Sequence, residues 1–275
     1  MSKPVLYIFG PSVWSKVPEI ALVELGYAAD AVEKKSINLA AAENLAPAFV
    51  KISKPGTLPV LVANGETYTS TIDVTRYLVA HASHPAAPSK HQALIDAVHA
   101  DAIDPNFPLV GARSAAELEA KKTAFPGDFV RNRYNAVVKF NEEADAEMKE
   151  YYKTKLPTLG FLNTLYTDAP AAQVEGFVHH SVEHWQHVDE FISKTLPTYL
   201  PESGFVEGAK PGEADFHVGA WIARIALLSG APTTDKIGEA LEKELGAPLP
   251  EKVTKYLAAW SERPGWKAVY ADGLH

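Results

Sequence analysis

The stretch Thr57-Leu58-Pro59-Val60-Leu61 limits what this chain can fold into more than any other. A proline at the head of an apolar, β-branched run removes a ladder donor, so it is out of place inside a central strand but acceptable as a strand's first residue. A bend there presents the N–H and C=O of Leu58 to a ligand. An X-Pro bond can be cis at modest cost, and a cis proline usually sits in a tight, specific turn. Leu58-Pro59 is therefore expected to form the floor of a groove for an extended peptide. The residues that follow support this. Val60-Leu61-Val62 and Thr67-Tyr68-Thr69 flank Ala63-Asn64-Gly65-Glu66, where Asn-Gly is a strong hairpin signal. Ser70-Thr71-Ile72-Asp73 then opens a helix as a capping box, with Val74, Tyr77 and Leu78 as its buried stripe.

Upstream, residues 4–9 (PVLYIF) read as a buried strand. Val17, Ile20, Ala21, Leu22 and Leu25 form a helical stripe closed by Gly26. Pro18 is compatible with that helix only in its first turn, which places the start near Ser15. Val32 to Leu39 suggests a second strand and 43–52 a short helix interrupted by proline. The order is β-α-β-α-β-β-α over residues 1–82. Residues 83–90 (SHPAAPSK) read as a linker. Helices are expected at 91–104, 114–122, 128–154, 172–195, 213–229, 235–245 and 250–262. The predicted architecture is an α/β domain over 1–82 joined to an all-helical domain over 91–275.

The composition excludes several function classes. With 275 residues, 47% hydrophobic and 22% charged, the chain is ordinary globular material with enough length for two cores. A net charge of −8 argues against nucleic-acid binding, which needs clustered Lys and Arg. No apolar run approaches the ~18 residues of a membrane span. VLYIF follows the N-terminus with no signal-peptide pattern, and no Asn-x-Ser/Thr sequon occurs, so a cytoplasmic location is expected. The chain has no cysteine, which removes disulfides, Cys-based metal sites and any step with a protein thiol as nucleophile.

In order and spacing, five segments resemble the glutathione transferase superfamily, whose members join a thioredoxin-like domain to a helical one. SVWSKVPEIALVELG (12–26) is similar to its first active-site loop and helix, and GTLPVL (56–61) to its cis-proline loop. STIDVTRYL (70–78) matches its Glu-Ser turn and the helix after it, GEADFHVGAWI (212–222) the buried capping box of its central helix, and ERPGWKAVY (262–270) its last helix. The SxWS loop and long helical body most resemble fungal, omega-like, serine-type classes of wood-decay basidiomycetes.

The resemblance implies glutathione as co-substrate, with no tightly bound cofactor. Its thiol, with a pKa near 8.5, is mostly protonated at neutral pH, and each unit of lowering needs about 1.4 kcal/mol. A hydroxyl at a helix N-terminus can supply that through a charge-assisted bond to the thiolate. Ser12 is the candidate catalytic donor; Ser15 and Tyr7 are alternatives. A capping or turn role is the plain structural reading of Ser12. Leu58 and Pro59 would pair with the cysteinyl backbone by β-augmentation. At the γ-glutamyl end, Ser70-Thr71 stands where the family has Glu-Ser: Thr71 keeps the hydroxyl and helix N-terminus for the carboxylate, but position 70 lacks the acid for the ammonium. Asp73, Glu66 or a partner subunit would have to compensate. Lys51, Lys54 and Lys35 are the cations available for the glycyl carboxylate, Lys54 lying nearest the cis-proline loop in sequence. Trp14 belongs to the glutathione site, and with Pro11 and Val13 it lines one wall of the electrophile site; Phe107, Phe129, Tyr134 and Phe125 are candidates for the other. For each of these aromatics core packing is the plainer reading.

Two other features are weighed. His180, His184 and His187 share a helical face, but the order is not HExxH and no metal is expected. The acidic run 142–150 reads as the solvated face of a long helix. Without a protein thiol, mixed-disulfide exchange is closed, which leaves conjugation or attack of glutathione on an apolar or aromatic electrophile. The rival expectation is a ligandin-like carrier of aromatic or phenolic molecules. A homodimer is expected by resemblance, and neither nucleic acid nor membrane as partner.

Overall fold

The structure is a computed structural model that describes residues 3–274. Its strands are β1 (Val5–Ile8), β2 (Glu33–Ser36), β3 (Val60–Ala63) and β4 (Glu66–Tyr68), in one sheet of order β2-β1-β3-β4. The helices of the first part are α1 (Val13–Glu24), α2 (Pro47–Val50) and α3 (Thr71–His81). Those that follow are α4 (Gln92–Val98), α5 (Phe107–Val110), α6 (Ala115–Lys122), α7 (Phe125–Glu143), α8 (Ala146–Leu165), α9 (Ala171–Glu190), α10 (Leu196–Tyr199), α11 (Glu213–Leu228), α12 (Ile237–Leu245), α13 (Glu251–Ser261) and α14 (Pro264–Val269). A thioredoxin-like α/β part followed by an all-helical part is the architecture expected from the sequence.

By packing, the chain forms two compact units. One comprises the chain up to Lys35, Leu58–Asn106 and the chain from His184 onward; the other comprises Ser36–Thr57 and Phe107–Glu183. In the first, Leu6 and Leu61 face each other across the antiparallel β1–β3 pair and are fully buried. Val17 and Ile20 of α1, Val74 and Leu78 of α3, and Trp221 and Ile225 of α11 belong to the same core. Helix α11 is buried along its length from Glu213 to Ala226, mostly apolar around its circumference, with Glu213, Asp215, His217 and Arg224 as buried polar exceptions. Its N-terminus closes on Asp215, fully buried, which accepts from the N–H groups of Val206 (2.8 Å), Glu207 (3.1 Å) and Gly212 (3.1 Å) and from the Tyr256 hydroxyl (3.1 Å). In the second unit, Leu45 and Val50 pack with Val137 and Tyr152, and Leu118 and Val130 with Leu165 and Phe177.

Local signals hold where the backbone itself dictates them. Asn64 and Gly65 have φ of 54° and 85°, the left-handed pair a two-residue hairpin turn requires. Gly26 (φ 71°) ends α1, its N–H reaching Val23 (3.1 Å) while that of Tyr27 reaches Leu22 (3.0 Å), a Schellman closure.

Three expectations are corrected. Helix α1 starts at Val13, not near Ser15, so Pro18 lies inside it beyond the first turn; the bond it cannot give to the Trp14 carbonyl is outweighed by burial of Val17, Ile20 and Ala21. The single helix expected at 128–154 is two, because Ala144 is extended and the Asp145 carboxylate caps a new start at the Met148 N–H (2.9 Å). The acidic run 142–150 therefore spans a helix break rather than one long face. The 43–52 segment is a 3₁₀ turn, Glu43–Leu45, followed by α2 with Pro47 at its first position.

Candidate active site

Sheet register brings three sequence-predicted elements to one end. Tyr7 pairs with Val60 antiparallel, so the loop after β1 and the segment before β3 lie at the same sheet end. Leu61 pairs with Tyr68, which returns the exit of β4, and hence Ser70, to that end as well. Ser12, Leu58-Pro59 and Ser70-Thr71 are thus gathered by topology.

Ser12 is the N-cap residue of α1, with extended backbone (φ −89°, ψ 121°). Its carbonyl starts the helix, accepting from the N–H groups of Ser15 (3.1 Å) and Lys16 (3.3 Å), and its own N–H bonds to Phe9 (2.9 Å). Its hydroxyl makes no capping bond, although serine at this position ordinarily accepts one. The side chain is 8% exposed. Ser15, by contrast, is fully buried and its hydroxyl accepts from the Phe9 N–H (3.2 Å), which commits it to holding the loop.

The Leu58-Pro59 bond is cis. Among the described residues, the N–H and C=O of Leu58 bond to no other backbone group, and its side chain is 7% exposed. At α3, the Ser70 hydroxyl accepts from the Asp73 N–H (3.0 Å) and donates to the Asp73 carboxylate (2.6 Å), so a negative charge stands at this helix start although position 70 is a serine. Thr71 is 8% exposed. Glu66 is engaged by the Tyr68 hydroxyl (2.8 Å).

The other candidates fall in less uniform places. Trp14 is half-buried and Pro11 exposed, whereas Val13 is 1% exposed and packs in the core. Lys35 ion-pairs with Glu33 (3.5 Å). Lys51 and Lys54 are exposed and lie in the second unit. Phe107, Phe129 and Tyr134 are also in the second unit. Phe107 packs edge-on to Phe177 and His180, Phe129 lies beneath Arg133, and Tyr134 packs on Gly160. Among the described residues no group of three or more His, Cys, Asp or Glu side chains is placed to hold a metal.

Sequence reasoning missed two histidines and a lysine. The His99 ring stacks on Trp14 with centroids 3.9 Å apart, and its Nε2 is 2.9 Å from Nδ1 of fully buried His217. One nitrogen must donate and the other accept. Among the described residues Nε2 of His217 is buried with no partner, and a bare lone pair there costs less than a stranded N–H. Hydrogen-bond accounting therefore assigns the His217 proton to Nδ1, donated to His99. Burial pushes His99 down to about 4 and His217 well below its ordinary value, so the pair is neutral. Lys16, one turn beyond Ser12, is buried against Glu19 (3.2 Å). The i+4 spacing from Ser12 could have pointed to Lys16; nothing local marks His99 or His217. An open cleft of about 580 Å³ lined by residues such as Gln186, Ser193, Lys194 and Pro248 lies in the first unit, and none of the site residues above lines it.

A thioredoxin-like part, a cis proline before its third strand and helix starts at one sheet end define the fold of the glutathione transferases. Solved structures share it. The β-etherase LigF of Sphingobium sp. strain SYK-6 superposes with TM-score 0.57 at 15% identity, over 98% of this chain and 99% of that one. A glutathione transferase of Phanerochaete chrysosporium in complex with oxidized glutathione gives 0.53 at 15% identity, over 98% and 95%. A glutathione transferase homologue from Sulfitobacter with bound glutathione gives 0.52 at 15%, over 100% of each chain. No family model matches the chain, and no curated protein matches it.

Proposed function

We propose that this chain is a serine-type glutathione transferase of the fungal omega-like kind. The observation that carries the proposal is the Ser12 hydroxyl, which sits at the N-terminus of a 12-residue helix and is not used to cap it. In this reading it donates to the glutathione thiolate, with the positive end of α1 assisting. The backbone of Leu58 pairs with the cysteinyl residue above Pro59. Thr71 and the α3 N-terminus receive the γ-glutamyl carboxylate, and Asp73, held beside Ser70, takes the ammonium in place of the absent acid. Trp14 and Pro11, half-buried and exposed, face the electrophile, whereas Val13 packs in the core. A division at residues 83–90, a cytoplasmic homodimer and aromatic electrophiles complete the reading. Likeness to a β-etherase adds ethers to the substrates worth assaying.

The serine at position 70 supports a second reading, a carrier of aromatic molecules that binds glutathione weakly. Calorimetric titration with glutathione and turnover of an aryl halide, an isothiocyanate and an ether separate the two. Binding with turnover supports the transferase. No glutathione binding at millimolar concentration, with retention of phenolic ligands, supports the carrier.

A further inference from the structure

The second unit contains an arginine whose charge no carboxylate among the described residues answers. Arg76, Arg131 and Arg263 hold Glu213, Asp128 and Glu24 at 3.0, 2.6 and 2.5 Å. Arg133, on α7, instead uses one nitrogen, Nη1, to bond the Leu39 carbonyl (2.8 Å) and the Asn44 side-chain oxygen (3.1 Å). Among the described residues its Nε and Nη2 have no acceptor and no Asp or Glu pairs with it. Burial pushes its pKa down to about 10, a measure of the cost of keeping this cation.

The surroundings are built to the same end. Among the described residues the hydroxyl of Tyr151, on α8, is buried with no partner. That hydroxyl rests against Gly56, where a Cβ would collide with it. The loop around Gly56 is fixed by the Asn44 side-chain N–H on its carbonyl (2.5 Å) and by Lys155 on the Pro55 carbonyl (3.2 Å). The Lys155 ammonium also lies 5.2 Å from the centre of the Tyr151 ring, while Arg133 lies 5.1 Å from that of Phe129.

We propose that Arg133, Tyr151 and Lys155 form a binding site for a small organic carboxylate. The free edge of the guanidinium, Nε with Nη2, is a planar two-donor fork that matches a carboxylate and suits it better than a point charge would. In this site Lys155 supplies a second positive charge and the Phe129 and Tyr151 rings an apolar flank for the body of the ligand, while the unpartnered Tyr151 hydroxyl, packed on Gly56, is a third donor if the loop at Gly56 yields to the ligand. A half-buried cation with no carboxylate partner among the described residues is costly by itself and becomes more favourable once an anion completes it. This site stands whether or not the chain acts on glutathione. The carboxylate could belong to a free organic acid or to the C-terminal end of a bound peptide.

Calorimetric titration of the full chain with benzoate, and with benzamide as the uncharged control, tests the proposal. Benzoate is expected to bind, benzamide to bind at least about tenfold more weakly, and Arg133→Gln to lower benzoate affinity by about tenfold or more, the 1.4 kcal/mol of one lost charge-assisted bond. Repeating the titration with glutathione present separates the sources: unchanged benzoate affinity identifies a separate organic acid, and competition identifies the glutathione carboxylate. Thermal melts establish that the variants fold. Should Arg133→Gln not fold, Arg133→Lys and Tyr151→Phe take its place, each expected to weaken benzoate and leave benzamide unaffected. Equal binding of benzoate and benzamide, no benzoate binding at tens of millimolar, or unchanged benzoate affinity in the folded variants overturns the proposal.

Discussion

Replacing Ser12 by alanine separates a structural serine from a functional one, because the two roles predict opposite patterns. A serine that caps a helix is worth about 0.5–2 kcal/mol of stability. The Ser12 hydroxyl makes no cap bond, so Ser12→Ala should cost well under that, about 0.5 kcal/mol or less. A charge-assisted bond from the hydroxyl to the thiolate is worth about 1.5–3 kcal/mol, and at 1.36 kcal/mol per unit its loss should raise the pKa of bound glutathione by about 1–2 units. At neutral pH, turnover should then fall by about tenfold to a hundredfold and recover in part as pH rises through the new pKa. The thiolate is read by its ultraviolet absorbance in a pH titration of the binary complex, the rate by aryl halide conjugation, and stability by urea midpoint. A variant that loses 1–2 kcal/mol of stability while its bound thiol pKa stays unchanged refutes the assignment and makes Ser12 a cap.

Three further outcomes are expected. Asp73→Asn should weaken glutathione binding by about twofold to fivefold, the worth of an exposed ion pair, with little change in kcat; unchanged affinity in a titration would remove Asp73 from the ammonium site. Gly212→Ser, which cap statistics favour by a few tenths of a kcal/mol, should destabilise by about 1–3 kcal/mol, because a Cβ there lies 2.8 Å from the Glu207 Cβ while the backbone (φ −124°) would accept any residue; a raised melting temperature would contradict this. His99 has an ordinary pKa of 6.5 unfolded and about 4 folded, so the folded state binds fewer protons between those values and loses stability as pH falls through that window, on the order of 3 kcal/mol in full. Urea midpoints of wild type and His99→Gln should therefore converge between pH 7 and pH 4; a gap that stays constant argues that His99 is not held neutral by the fold.

What was legible in the sequence was local. Asn64-Gly65, Gly26, Ser70 with Asp73, and Pro59 before a β-branched run are each governed by backbone sterics or a bond spanning a few residues, and each took the expected form. The break at Ala144-Asp145 was less visible: Asp145 is a good cap, but it lies in a charged run equally compatible with continuous helix, and the packing of Met148 and Tyr152 with Leu45 and Val50 accompanies the choice. Pro18 sits beyond the first turn of α1 for a similar reason, since the lost bond is set against burial that only the folded core supplies.

By itself, then, the sequence determined the α/β-then-helical order, the hairpin, the bend at Leu58-Pro59 and the absence of any protein thiol. Tertiary structure decided which serine is free and which is committed: Ser15 is bound to the Phe9 N–H and Ser12 is not. It alone set Trp14 on the His99–His217 pair, across 85 and then 118 residues of chain, and left Arg133 without a carboxylate among the described residues. Local rules act through neighbours a few bonds away, whereas burial and the pairing of charges depend on groups that meet only when distant segments pack.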